Sequence, residues 1–168
     1  CGKTTIAKAL MRLLAENGEI SSGEICFQGQ DIAKMPIEEV RKLRQKEIAM
    51  ISQSAMNALN PVYRVGDQIV EAILAHTNIS KTDARKRAVE VCEIIGLKEE
   101  RMNSYPYQLS GGMKQRFVIA MALSLNPALL IADEPTTALD VLVQDRILKQ
   151  IGQVLEQFDN SMIFITHD

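Results

Sequence analysis

The chain has 168 residues, 46% of them hydrophobic and 24% charged, and a net charge of −2. That is enough for one sizeable core, without the overall basic field that favours nucleic acid as a partner. Its three cysteines, Cys1, Cys26 and Cys92, show neither Cys-x-x-Cys spacing nor a companion histidine cluster, which fits unpaired thiols with packing roles in a reducing cytoplasm, and no apolar run approaches the ~18 residues of a membrane span.

The opening CGKTT ends as the phosphate-loop pattern G-x-x-x-x-G-K-[ST] ends. Apolar Ile6, Ala9, Leu10, Leu13 and Leu14 follow at helical spacing up to Asn17-Gly18, a C-cap pair, so the loop is expected to open a helix that runs that far. Cys1, Gly2, Lys3, Thr4 and Thr5 are then the surviving half of a phosphate loop, and the chain is expected to be a fragment. GEICFQGQDI alternates apolar and polar residues between glycines and reads as a half-exposed strand or hairpin arm. Pro36 starts a short helix through Leu43, and EIAMISQ is a buried strand ending at Gln53, followed by the loop SAMNALNPVYR. Residues 65–97 read as helical, with a capping-box-like start at Ser80 and Asp83 and a stop at Gly96. This block is best read as a helical insertion in an otherwise alternating α/β chain. LSGG then opens a helix that ends before Pro127. ALLIADE is an apolar strand, DVLVQDRILKQIGQVLEQF an amphipathic helix through Val143, Ile147, Ile151 and Val154, and SMIFIT another apolar strand. Strands without alternating polarity predict a parallel sheet covered on both faces.

Four stretches carry chemistry. In a phosphate loop the helix N-terminus and backbone N–H groups surround a phosphate, the Lys supplies charge and the following hydroxyl ligates Mg²⁺, places that Lys3, Thr4 and Thr5 would fill. LIADEP delivers Asp133 and Glu134 to the C-terminal end of a strand, the edge where open parallel sheets bind ligands. Neighbouring strand residues point opposite ways, so Asp133 can hold the Mg²⁺ shell while Glu134 reaches an attacking water as base. In LSGGMKQR, Ser110 can cap the following helix, and Gly111 and Gly112 let a phosphate approach the backbone, a second anion site that suggests a nucleotide held elsewhere. His167 in FITHD and Gln53 both end strands, and the Gln53 carbonyl oxygen suits Mg²⁺ or water. Taken alone, each has a plainer reading: a solvated acidic strand end, an ordinary Gly-containing helix start, a structural histidine. His76 has no such company and reads as a surface or satisfied histidine.

Taken together and in order, Gly-Lys-Thr-Thr, Gln53, Leu-Ser-Gly-Gly, Asp-Glu, Ala-Leu-Asp at 138–140 and His167 resemble the ATP-binding subunits of ABC transporters over nearly the whole chain. The resemblance implies an α/β P-loop NTPase core with a parallel sheet and a helical subdomain between the Q-loop and the signature motif. Residues 1–55 and 128–168 would form the RecA-like core, with a short antiparallel region near 22–31, and residues 56–127 the helical signature subdomain. It implies ATP and Mg²⁺ as cofactors, with Gly2, Lys3, Thr4 and Thr5, next to Cys1, as the end of Walker A. Gln53 becomes the Q-loop glutamine, Asp133 the Walker B aspartate, Glu134 the catalytic base and His167 the switch histidine. Ser110, Gly111 and Gly112 would contact the γ-phosphate of the nucleotide on a partner subunit, with Asp140 at the dimer seam. The sequence departs from the family in lacking the front of Walker A and an upstream aromatic for adenine. Met113 stands where many relatives have Gln.

QSAMNALNPVYRVGDQI, YPYQLSGGMKQR and DEPTTALDV look like the ATPase subunits of oligopeptide, dipeptide and nickel importers. That implies a second ATPase subunit, identical or not, at the cytoplasmic face of the membrane. It also implies a membrane permease whose coupling helix sits at residues 55–64, and an extracytoplasmic substrate-binding protein met indirectly, with no nucleic acid. A non-transport ABC ATPase acting on DNA or ribosomes is the rival, but the stretch between Gln53 and Leu109 has no room for a long coiled coil. Against a nucleotide-binding module that never hydrolyses ATP stand Glu134 and His167.

Overall fold

Three short apolar strands carry the architecture, because alternate residues on each feed two different cores. A computed structural model of the chain describes residues 2–53, 55–136, 141–158 and 160–167. In it β3 (Ile48–Ile51), β4 (Leu129–Asp133) and β5 (Ser161–Ile165) lie parallel in the order β3-β4-β5, with Ile51 opposite Ala132 and Asp133 opposite Ile165. Ile48, Ile131 and Ile165 pack on one face with Ala7 of α1 (Lys3–Leu10) and Val40 of α2 (Ile37–Leu43). Ala49, Ile51 and Leu130 turn to the other face. There they meet the helices α3 (Val65–His76), α4 (Lys81–Ile94), α5 (Gly111–Leu123) and α6 (Val141–Phe158) through Ile69, Val91, Phe117 and Ile147. Each fully buried Ile or Phe here contributes about 1.5–3 kcal/mol. This is an α/β fold built on a parallel sheet, and it sets the polar residues that follow each strand along one edge of the sheet.

The local signals act as the sequence suggests. Ser80 caps α4 by accepting from the Asp83 N–H at 3.1 Å, and Gly96 ends the block at φ 70°. GEICFQGQDI forms a hairpin of β1 (Cys26–Phe27) and β2 (Gln30–Asp31). Gln28 and Gly29 between them both take positive φ, 47° and 80°, as a two-residue turn matched to strand twist requires.

Two expectations are corrected. α1 ends at Leu10 rather than running to Asn17-Gly18, and Arg12 sits at φ 50°. The reason is tertiary: Arg44 donates from Nε to Met11 O (2.9 Å) and from Nη2 to Arg12 O (2.7 Å), capping carbonyls that a longer helix would have used internally. Arg12 in turn donates from Nη1 to Ile32 O and Ala33 O, and Leu13 is left exposed. Nor is the sheet covered everywhere among the described residues, where β5 comes last in the strand order and Ile163 and Phe164 are each 37% exposed.

Candidate functional site

At the C-terminal edge of the sheet three residues from three different strand ends meet. Gln53 follows β3 by two residues, Glu134 follows β4 directly and His167 follows β5 by two. Gln53 donates from Nε2 to Glu134 Oε2 at 2.9 Å, and His167 Nδ1 lies 3.2 Å from Glu134 Oε1. One carboxylate is therefore held at both oxygens, and the Gln53 amide oxygen, which that bond does not use, is of a type that can accept from water or bind a cation. The Glu134 side chain is 17% exposed against 57% for His167, so the carboxylate sits at the bottom of the group and the imidazole at its rim.

The backbone at this point is unusual for its residue type. Glu134 takes φ 49°, a left-handed conformation that costs a residue with a Cβ about 1–2 kcal/mol. It is fixed from both sides. Its N–H donates to Ile165 O at 2.9 Å, extending the β4 and β5 ladder by one bond. Beyond it, the buried Gln115 of α5 donates from Nε2 to Pro135 O, and Gln144 of α6 donates from Nε2 to Thr136 O at 3.0 Å. Reasoning from sequence assigned neither glutamine a role. A signal for Gln115 existed: it shares a helix face with Val118 and Ala122, where an apolar residue would be expected.

Asp133 faces the other way. It continues the Leu129 and Ile131 side of β4, toward α1, and is 1% exposed with no hydrogen-bond partner among the described residues at either carboxylate oxygen. A buried carboxyl with both oxygens idle costs free energy unless something fills them. A hard cation or its bound water is what that donor set suits. Among the described residues no group of three or more His, Cys, Asp or Glu gathers to hold a metal alone. The fit is thus to an ion such as Mg²⁺, which is characteristically bound by one or two carboxylates with phosphates and water completing its shell.

α1 packs against β4, and Gly2 precedes it at φ 90°, where its carbonyl accepts from Ile6 N–H at 3.0 Å. An added Cβ would meet no atom within 4 Å, so it is the backbone conformation that asks for glycine there. Lys3 is half-buried and Thr4 and Thr5 are exposed at this helix start. Ser110 caps α5, its hydroxyl accepting from Met113 N–H at 3.4 Å. Gly111 and Gly112 form the first turn of that helix. Ser110 is thus bonded within its own cap and takes no part in the Gln53, Glu134 and His167 group. Cys1 and Asp140 lie outside the described residues.

Comparison with known proteins finds a family, relatives and solved structures to which this chain is similar. Residues 1–137 match the family model described as ABC transporter. The oligopeptide transport ATP-binding protein OppD of Bacillus subtilis is 49% identical over 170 residues, covering 99% of this chain and 48% of its own length. The dipeptide transport ATP-binding protein DppD of Lactococcus lactis is 47% identical, covering 99% of this chain and 49% of its own. This chain spans about half the length of these curated relatives. Among solved structures, the dimeric structure of MJ0796, a bacterial ABC transporter cassette, superposes with a TM-score of 0.85 at 28% identity, covering 99% of this chain and 70% of that one. A structure of the same cassette in a post-hydrolysis state bound to ADP and Pi gives 0.85 at 29% identity. On the family match and on a fold that puts Gln53, Asp133, Glu134 and His167 along one sheet edge, the chain belongs to the ABC transporter family.

Proposed function

We propose that the protein is the ATP-binding and ATP-hydrolysing subunit of an ABC import complex that energises peptide uptake. The observation that carries this reading is the Glu134 carboxylate, held by Gln53 and His167 beside the buried, unpartnered Asp133. Peptide as the cargo is supported by relatives named for oligopeptide and dipeptide transport.

In this reading Gly2, Lys3, Thr4 and Thr5, with Cys1 before them, close around the β- and γ-phosphates at the start of α1. Asp133, with Thr4 and Gln53, would hold Mg²⁺, which when bound supplies positive charge at the phosphate oxygens. Glu134 orients a water and takes its proton as the water oxygen bonds to the γ-phosphorus. The bond from that phosphorus to the bridging oxygen breaks, and ADP leaves with the electron pair. His167, 3.2 Å from Glu134 Oε1, keeps the carboxylate aimed and faces the proton it receives. Ser110, Gly111 and Gly112 face the γ-phosphate held by a second ATPase subunit, and Asp140 lies at the seam between the two.

Residues 1–55 and 128–168 act as the nucleotide core and 56–127 as the helical arm. Among the described residues no helix is long and apolar enough to cross a membrane. In this reading the protein docks at the cytoplasmic face of a membrane permease. Residues 55–64 run directly on from the Q-loop and expose Val62 and Tyr63, a surface suited to a permease helix. An extracytoplasmic binding protein delivers the cargo, and no nucleic acid takes part. The test is peptide uptake and ATPase rate in vesicles carrying the complete complex. Arg64→Glu or Ala58→Trp should abolish uptake with basal ATPase largely kept. Uptake at the parent level with both variants would remove this loop from coupling, and a complex that carries sugars and ignores peptides would overturn the cargo assignment.

A further inference from the structure

We propose that Gln115 is a positioning residue for Glu134: its side-chain amide ties helix α5, which begins at the signature Ser110, to the peptide unit that follows the base. The proposal rests on the reading of Glu134 as the base.

Gln115 is 4% exposed in the middle of a helix whose neighbouring positions Phe117, Val118 and Ile119 are all core. An amide in such a place is costly unless bonded, and an apolar side chain would serve packing better. The bond it makes is specific, because Nε2 donates to the carbonyl of Pro135, the residue after Glu134. β4 has ended at Asp133, so no strand neighbour is available for that carbonyl. The placement matters because Glu134 sits in the left-handed region at φ 49° and precedes a proline, which narrows its conformations further. A conformation costing of order 1–3 kcal/mol persists only where its surroundings over-determine it. The upstream anchor is Glu134 N–H to Ile165 O at 2.9 Å, the downstream anchors are Gln115 to Pro135 O and Gln144 to Thr136 O at 3.0 Å. Remove the downstream anchors and the residue is free to relax, swinging the carboxylate from the two partners that hold it.

Gln115 lies five residues along α5 from Ser110, about 7.5 Å of helix axis. A helix of this length moves as a stiff body. The end of the chain's own signature helix is thereby linked through one hydrogen bond to the chain's own Glu134, although under the proposed function the two serve different nucleotides. The orientation of α5 then sets the aim of Glu134.

The experiment uses the complete protein and a double-mutant cycle. Gln115→Met keeps the side-chain length and removes the donor. The expected result is a fall in kcat of about 10–100-fold, the scale of a small misplacement of a catalytic group. ATP affinity should stay within twofold of the parent. In a Glu134→Gln background, where no base remains to be aimed, Gln115→Met should change residual turnover by less than twofold. An unchanged kcat, or the same fold-loss in both backgrounds, overturns the proposal, since a merely structural glutamine would act regardless of Glu134. If Gln115→Met does not accumulate as folded protein, Gln144→Met on the half-buried face of α6 replaces it in the cycle. A loss confined to the Glu134 background then supports the proposal, and an equal loss or none in both backgrounds overturns it. Failure of the underlying reading shows separately, as parent-level turnover in Glu134→Gln alone.

Discussion

Replacing Asp133 by Asn should make the nucleotide-free protein more stable while destroying its response to Mg·ATP. Asp133 is 1% exposed and neither carboxylate oxygen has a partner. An unsatisfied buried polar group costs about 1–3 kcal/mol, more when charged, and the isosteric amide lowers that cost without opening a cavity. Taking a gain of about 1–3 kcal/mol and about 2–4 °C per kcal/mol for a domain of this size, the melting temperature should rise by roughly 2–12 °C. With Mg·ATP at about 100 times its dissociation constant, the parent should gain about 2.7 kcal/mol by linkage, and the variant little or nothing. The variant's lead should therefore shrink by about 2.7 kcal/mol when nucleotide is added, and reverse wherever that lead is smaller than this. Scanning calorimetry of parent and Asp133→Asn, each with and without Mg·ATP, reads both effects. A variant less stable than the parent without nucleotide would mean that the Asp133 oxygens have partners in the fold, which would remove the reason for a cation there.

Gly66→Ala should destabilise the arm of α3 against residues 99–103, since the new Cβ would lie 2.7 Å from Met102 Cβ and 2.8 Å from Met102 O. Overpacking of about 1–3 kcal/mol exceeds the ~1 kcal/mol gained in helix propensity, so the melting temperature should fall by a few degrees, and a rise would refute the close approach. Ser110→Arg should stop hydrolysis with little loss of ATP binding to the same subunit. In mixtures with Lys3→Ala, no more than one intact composite site should remain, and full parental activity in the mixture would disprove the trans arrangement. Burial pushes the Cys92 thiol up to about 12, so at pH 8 only about one in 10⁴ is thiolate. Alkylation mapped by mass spectrometry should label exposed Cys26 and spare Cys92 until the protein unfolds.

Much of this site could be read from the sequence because it is built on strand ends. An apolar run followed by Gln53, Asp133-Glu134 or His167 marks the edge of a parallel sheet, and parallel register then brings those ends together without any further information. What the pattern could not supply was set by contacts between distant parts of the chain. α1 stops at Leu10 because Arg44, more than thirty residues away in sequence, takes the carbonyls of Met11 and Arg12. The left-handed turn at Glu134 has no local signature, as Glu is not a residue that favours positive φ, and it is imposed by bonds to Ile165, Gln115 and Gln144. The exposure of β5 was hidden for a similar reason: SMIFIT reads as buried on composition, whereas its place last in the order among the described residues depends on which strands pair.

The hydrolytic role proposed at this sheet edge turns on Glu134 acting as the base of ATP hydrolysis, and single-turnover hydrolysis by Glu134→Gln in the complete protein is the sharpest test of it. Turnover should fall by roughly 10²–10⁴-fold with ATP affinity retained, and ATP-bound dimers should accumulate in size-exclusion chromatography. Hydrolysis at the parental rate, with no accumulated dimer, would contradict it.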